Sequence, residues 1–294
     1  MMPLLTVHGL SMRFGGVTAL HQVDFTVQPG SITALIGPNG AGKTTVFNCV
    51  TGFYRASSGT IHLQDEYQQA EGIDLLALLG EPLQWSDLWQ PHRLSQRLYY
   101  KMFGGPHLVN RVGVARTFQN IRLFNELTVM ENLLVAQHNQ VDSGLLSGLL
   151  SSRRFRAYEQ AAVARASAWL RFFDLLPEAN RLAGELPYGY QRRLEMARAL
   201  CTQPRLLCLD EPAAGLNPNE TKALSQLILT LRERFAITIL LIEHDMGMVM
   251  DISDHLVVLE HGEVIARGKP EQIQQDPRVL AAYLGTQTAE KGGL

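Results

Sequence analysis

The chain has 294 residues, of which 46% are hydrophobic and 18% charged, with a formal net charge of −2. Such a composition supports a globular fold with a buried core and excludes a wholly disordered chain. The balance of 26 basic against 28 acidic residues gives no global basic field, so no nucleic-acid partner is expected.

Cys49, Cys201 and Cys208 are odd in number, lack CxxC spacing and sit in apolar surroundings. They read as reduced packing residues, not a disulfide framework or a zinc site, which points to the cytosol. Residues 1–10 lack the basic and long apolar regions of a secretory signal. Apolar runs such as 75–79 and 237–242 are too short to span a bilayer. Work at a membrane would therefore be that of a peripheral subunit.

In chain order, Leu5 and Val7, then Val23, Phe25 and Val27, alternate with polar residues and predict half-buried strands. Gln28-Pro29-Gly30 is a turn signal. Residues 31–37 predict a buried strand that runs into a Gly-rich loop and a helix from Gly42. Residues 64–110 carry Leu75, Leu76, Trp85, Leu88, Trp89 and Leu98 among Pro82, Pro91 and Pro106, and predict short helices broken by proline. Phe155, Tyr158, Ala162, Ala166, Trp169, Leu170 and Phe173 recur every three or four residues. That spacing predicts an amphipathic packing helix over 152–176, capped by Ser151 or Ser152.

Residues 206–210 and 237–242 predict further buried strands. The helix between them has Asn217 as N-cap, Pro218 at its first position and Glu220 at capping-box spacing. Leu224, Leu227, Ile228 and Leu231 form its apolar face. Strand–helix–strand alternation predicts a parallel sheet covered by helices. Residues 256–267 predict a hairpin turning at His261-Gly262.

Chemistry concentrates first in Gly37-Pro38-Asn39-Gly40-Ala41-Gly42-Lys43-Thr44-Thr45, which fits GxxxxGK[ST] between a strand and a helix. Glycines let backbone N–H groups curl round a phosphate, and the helix N-terminus favours negative charge. Lys43 would reach the β- and γ-phosphates, Thr44 would ligate Mg2+, and Thr45 would support the α-phosphate. Asp210-Glu211 closes a buried strand. A carboxylate there suits a Mg2+ contact, and Glu211 beside it suits the activation of water.

Leu186-Pro187-Tyr188-Gly189-Tyr190-Gln191-Arg192-Arg193 precedes an apolar-faced helix over 194–200. It resembles the signature segment, usually LSGGQ, of ABC-transporter ATPases. In the branched-chain amino-acid uptake branch the first Gly is commonly Tyr and a QRRLE-type run follows, as Gln191 to Glu195 do here. Arg116-Thr117-Phe118-Gln119 resembles the Q-loop, and Pro212 to Asn217 resembles the D-loop, with Asn where Asp is usual. Glu243-His244-Asp245 resembles the switch-histidine segment, and Phe14 sits where the family stacks an aromatic on adenine. Taken singly, Phe14 reads as core, Gln119 as a loop residue, His244 as a strand-end histidine and Arg192-Arg193 as a solvated helix start without a catalytic role. The order of the motifs around the phosphate loop gives the first three their roles. Pro187 and Tyr190 depart from the signature, removing a hydroxyl and a side-chain amide; the Gly189 N–H remains.

The resemblance implies an α/β fold: an ABC-type P-loop ATPase with a RecA-like core, an antiparallel β-subdomain and a helical subdomain over about 120–188. The ATPase domain is expected over 4–268, with an insertion at 64–110 and a C-terminal extension at 269–294. The implied activity is ATP hydrolysis driving import of branched-chain amino acids from the cytoplasmic face of the membrane. Alternatives within the resemblance are uptake of urea or amides, lipid export, or a soluble ATPase acting on ribosomes or DNA. Catalytic roles fall to Lys43, Gln119, Glu211 and His244, and Mg2+ to Thr44, Gln119 and Asp210. Nucleotide contacts fall to Phe14, residues 37–45 and, from a second subunit lying head to tail, Gly189. Implied partners are that second ATPase subunit, transmembrane permease subunits and, indirectly, a solute-binding protein.

Overall fold

N-terminal alternation folds as a hairpin. In the computed structural model, which describes residues 2–64, 72–79, 104–137 and 153–283, β1 (Leu5–Phe14) pairs antiparallel with β2 (Val17–Val27). After β3 (Ile32–Ile36), β4 (Ser58–Leu63) pairs antiparallel with the other edge of β1, and β5 (Ile73–Asp74) with β4, giving the order β2-β1-β4-β5.

β3 belongs to a second sheet with β6 (Val114–Arg116), β7 (Leu206–Asp210), β8 (Thr238–Ile242), β9 (His255–Glu260) and β10 (Glu263–Gly268). Its order is β10-β9-β3-β8-β7-β6, all parallel except β10. β9 and β10 turn at His261 (φ 48°) and Gly262 (φ 82°), the two left-handed residues that a tight hairpin requires.

Helices with both ends among the described residues include α1 (Lys43–Val50), α2 (Pro106–Arg111), α3 (Val129–Ala136), α4 (Arg153–Phe172), α5 (Tyr188–Leu200), α6 (Pro218–Phe235), α7 (Met246–Ile252) and α8 (Pro270–Gln274). The Asn217 side chain accepts from the Asn219 and Glu220 amides, and Glu220 returns a bond to the Asn217 amide, so the expected capping box is present.

The parallel strands are buried on both faces because their residues alternate between two cores. Ile32, Ala34, Ile36, Leu207, Leu209, Ile239 and Leu241 face the core formed with α3 to α7. Leu35, Leu206, Cys208, Leu240, Ile242, Val257 and Leu259 face the core shared with α1 and the antiparallel sheet. That is why these strands read as continuous apolar runs.

Several boundaries differ from the sequence reading. α4 ends at Phe172, because Asp174 takes a left-handed φ of 58° and Leu176–Glu178 continues as a 3-10 turn. Ser151 and Ser152, the expected caps, lie outside the described residues. α5 starts at Tyr188 rather than Leu194, so the signature-like segment is itself the first turn of the helix. Pro106 does not break a helix but opens α2 at a first position, where its missing N–H costs nothing. Trp85, Trp89, Pro82 and Pro91 lie outside the described residues. No helix among the described residues is long and apolar enough to cross a membrane.

All three cysteines are fully buried, and burial pushes each thiol up to about 12. At pH 8 about one thiol in ten thousand would be ionised. Ellman's reagent at that pH should therefore label none of the three in the native protein, and all three after unfolding in guanidinium. Rapid labelling of the native protein would contradict this packing.

Candidate functional site

The candidate residues lie where parallel strands end, the edge at which open α/β sheets bind ligands. β3 runs into the loop 37–42, β6 into Thr117-Phe118-Gln119, β7 into Glu211, and β8 into Glu243-His244. The register aligns Leu35 and Asp210 with the same residue, Ile242, so loop and acid emerge at one level.

Gly37 has a φ of 146°, and a Cβ there would run into the Leu259 carbonyl oxygen. Gly42 takes a φ of 99° as the N-cap of α1, where a Cβ would meet Leu20 at 2.7 Å. Glycine is thus required at both ends of the loop. The Lys43 side chain folds back under the loop, and Nζ donates to the Gly37 (2.7 Å) and Pro38 (3.0 Å) carbonyls. It is only 6% exposed. Burial lowers its pKa, and the negative charge of Glu211 opposes that shift. Asn39, Gly40, Ala41, Gly42, Lys43, Thr44 and Thr45 line a cleft of about 510 Å3 together with Glu211 and His244.

Glu211 stands at φ 46°, a left-handed conformation unusual for a residue with a side chain. Its carboxylate is held at both oxygens. Gln119 Nε2 donates to Oε2 at 2.6 Å, and His244 Nε2 lies 2.9 Å from Oε1. Three strand ends therefore converge on one carboxylate.

Asp210 is 5% exposed and paired with Arg116, whose Nη2 lies 2.5 Å from Oδ2. The other arm of that guanidinium donates to Asn48 and Thr51 of α1 and its C-cap. Phe47, Phe53 and Phe118 surround the guanidinium carbon, with ring centroids 5.0 to 5.3 Å away. The Arg116 side chain thus ties the strand of Asp210 to the helix that carries Lys43.

Gly37, Pro38, Gln119 and Asp210 adjoin the cleft through the bonds just described without lining it, and Phe14 and Gly189 stand apart from it. Phe14 is exposed at the tip of the β1–β2 hairpin, packed edge-on to Tyr54 at 5.3 Å, while Val17, Thr18 and Ala19 form that wall. Gly189 lies in the first turn of α5, where a Cβ would come within 3.2 Å of Glu220. Pro187 is the N-cap of α5 and makes no side-chain cap, and Tyr190 lies beneath Arg193.

Arg192 corrects the reading of Arg192-Arg193 as a solvated helix start. It is fully buried and donates to the Phe118 (2.6 Å) and Gln119 (2.8 Å) carbonyls and to Glu195 (3.1 Å). Glu195, also buried, accepts from the Phe118 and Arg122 amides. Burial raises its pKa, against the lowering by these amides and Arg192. Glu243, 4% exposed, accepts from the Ala213 and His244 amides and so joins the D-loop-like segment to the histidine segment. A usable signal existed for the pair: opposite charges at i and i+3 on the face that also carries Met196 and Ala199.

The family model for "ABC transporter" matches residues 20–214, and a second, for "Branched-chain amino acid ATP-binding cassette transporter", matches residues 263–289. The chain belongs to the ABC transporter family. It is 51% identical to the high-affinity branched-chain amino acid transport ATP-binding protein LivG of Escherichia coli K12, over 96% of this chain and 98% of that one. It is 48% identical to the corresponding protein BraF of Pseudomonas aeruginosa, with the same shares covered. The fold is similar to a crystal structure of the ADP conformation of an ATP-binding cassette of an ABC transporter. That match has a TM-score of 0.73 at 29% identity and covers 97% of this chain and 100% of that one. The architecture is thus that of an ABC ATPase, with the expected parallel core and antiparallel β-subdomain.

The Arg116–Asp210 pair gives a stability prediction for this cassette. Both side chains are at most 8% exposed, so removing one leaves the other desolvated and unpaired. Arg116→Met should cost about 3–5 kcal/mol of unfolding free energy, read from urea denaturation. A loss below about 1 kcal/mol would show that the pair is not structural.

Proposed function

We propose that this chain is the ATP-hydrolysing subunit of an importer of branched-chain amino acids. The observation that carries the ATPase reading is the Glu211 carboxylate, gripped by Gln119 and His244 at the mouth of the Gly37–Thr45 cleft. The solute is supported by the names of the relatives and by the match over 263–289. The cassette spans 4–268, with 64–110 as an insertion and 269–294 as an extension.

The triphosphate of ATP lies along the loop, where backbone N–H groups and the α1 N-terminus meet its charge. Lys43 sits at the terminal phosphate end and offsets the charge that builds there in hydrolysis. Glu211 takes the proton of the attacking water as that water bonds to the γ-phosphorus and the bond to the ADP oxygen breaks. Gln119 and His244 hold the two carboxylate oxygens, fixing the direction in which the base points.

The residues present suit Mg2+. Thr44 lines the cleft and offers a hydroxyl, and Asp210 is the buried carboxylate next in sequence to Glu211. Gln119 offers its side-chain oxygen, since its nitrogen is the atom given to Glu211. Among the described residues no group of three or more acidic, His or Cys side chains forms a cation site. A magnesium ion here would complete its shell from phosphate and water, as this cation commonly does. Bound there, it would neutralise phosphate charge.

Gly189 is not among the cleft-lining residues. It acts on the nucleotide of a second ATPase subunit lying head to tail. ATP then closes the pair, and loss of the γ-phosphate releases it, because that group contacts both subunits only in the closed state. The permease subunits receive the motion at the cytoplasmic face, and a solute-binding protein delivers the amino acid to them.

Glu211→Gln keeps the shape of the side chain and cannot accept the proton. It should lower turnover at least 100-fold while ATP affinity stays within about threefold. Turnover of the unaltered kind in this variant would refute the role of Glu211. For the solute, vesicles holding the assembled transporter should take up leucine, and not urea, when ATP is supplied.

A further inference from the structure

A closed ring of hydrogen bonds starts and ends on Glu211. The Glu211 carbonyl accepts from the Ala214 amide at 3.1 Å. The Ala214 carbonyl accepts from the Tyr188 hydroxyl at 3.2 Å, and that hydroxyl accepts from Arg192 Nη2 at 3.3 Å. The same Nη2 donates to the Gln119 carbonyl at 2.8 Å, and Gln119 Nε2 returns to the Glu211 carboxylate at 2.6 Å. We infer that Tyr188 and Arg192 are positioning residues for Glu211, and that through them a contact made at Gly189 is felt at the chain's own Gln119–Glu211 pair.

The chemistry of the ring argues against a packing role. A guanidinium taken fully out of water is costly, and an apolar side chain would fill the same space at lower cost. Arg192 is retained in a place where its planar fork reaches two successive carbonyls, Phe118 and Gln119. Glu195, one turn on, takes the Phe118 and Arg122 amides. The backbone on either side of Gln119 is therefore fastened to the first half of α5. Tyr188 precedes Gly189 in that same helix and stands where the family pattern commonly has glycine, so the hydroxyl link to Ala214 depends on this side chain.

The consequence is directional. In the proposed dimer Gly189 meets the neighbouring subunit's ATP, whereas Gln119 and Glu211 serve the chain's own. A displacement of the first turn of α5 pulls on the Gln119 carbonyl and on the Ala214 carbonyl together, and both lead to Glu211. Coupling of this kind needs one element whose position both sites bias, and the start of α5 is that element.

This inference rests on the ATPase reading, and the test separates the two. Tyr188→Phe removes one hydroxyl from a side chain that is 45% exposed, so the fold is kept. Arg192→Lys keeps the buried charge and loses the fork. Full-length variants are compared for ATPase kcat and KM, melting temperature, and hydrogen exchange of the peptide spanning 116–124. Tyr188→Phe should lower kcat about 2- to 10-fold, the loss that one hydrogen bond supports, with KM within twofold and melting unchanged. Arg192→Lys should lower kcat further and speed exchange of the 116–124 peptide. In a Gln119→Ala background Tyr188→Phe should have no added effect, because the ring is already open. An unchanged kcat, losses that multiply with Gln119→Ala, or a fall in kcat matched by a fall in melting temperature would overturn the inference. Exchange needs no turnover: a chain that hydrolysed no ATP would sink the ATPase reading, and unaltered exchange in Arg192→Lys would still sink the ring.

Discussion

Lys43 places an ammonium group almost wholly out of water, where it donates to the Gly37 and Pro38 carbonyls. Burial of a cation on neutral oxygens is an unfavourable arrangement that an anion would relieve. Much of the molecule serves that arrangement. The loop can wrap the ammonium because Gly37 and Gly42 take backbone angles closed to other residues. The loop is held in place by Leu259 and Gly262 of the hairpin at the far edge of the sheet, the latter bonding its amide to the Ala41 carbonyl. The core beneath is packed from both faces of β3.

A second constraint follows from parallel strands. They deliver their chemistry at one edge, and here β6, β7 and β8 each bring a polar group to the same point beside the loop. The left-handed backbone of Glu211 turns its carboxylate into that point instead of along the strand. Such a conformation persists when surroundings over-determine it. The amide of Glu211 on Ile242, its carbonyl on Ala214 and its two carboxylate bonds supply that determination.

Sequence legibility divides along physical lines. The shape of the glycine loop over 37–42, the Asp210-Glu211 strand end and the Asn217 capping box were readable because each depends on local backbone chemistry: a glycine that must be left-handed, an acid after an apolar run, a side chain capping its own helix. The 261–262 hairpin was readable for the same reason. The anchoring of Arg192 on the Phe118 and Gln119 carbonyls and the pairing of Arg116 were not, since those partners lie 73 or 74 residues away for one and 65 to 94 for the other; only the local Arg192–Glu195 spacing was there to be read. An arginine looks the same in sequence whether it is solvated or is buried against distant carbonyls. The end of α4 was missed because the apolar spacing continues through Phe173 while Asp174 breaks the helix.

The most direct measurement is calorimetric titration of Mg–ATP into the unaltered chain and into Lys43→Met, with urea unfolding of both in the absence of nucleotide. Removing the ammonium deletes a costly buried charge along with two hydrogen bonds, so stability should change by no more than about 1 kcal/mol. Affinity for ATP should fall at least tenfold, because the buried ammonium that the proposed binding mode sets against the phosphates is gone. Equal ATP affinity in the two proteins would contradict the account.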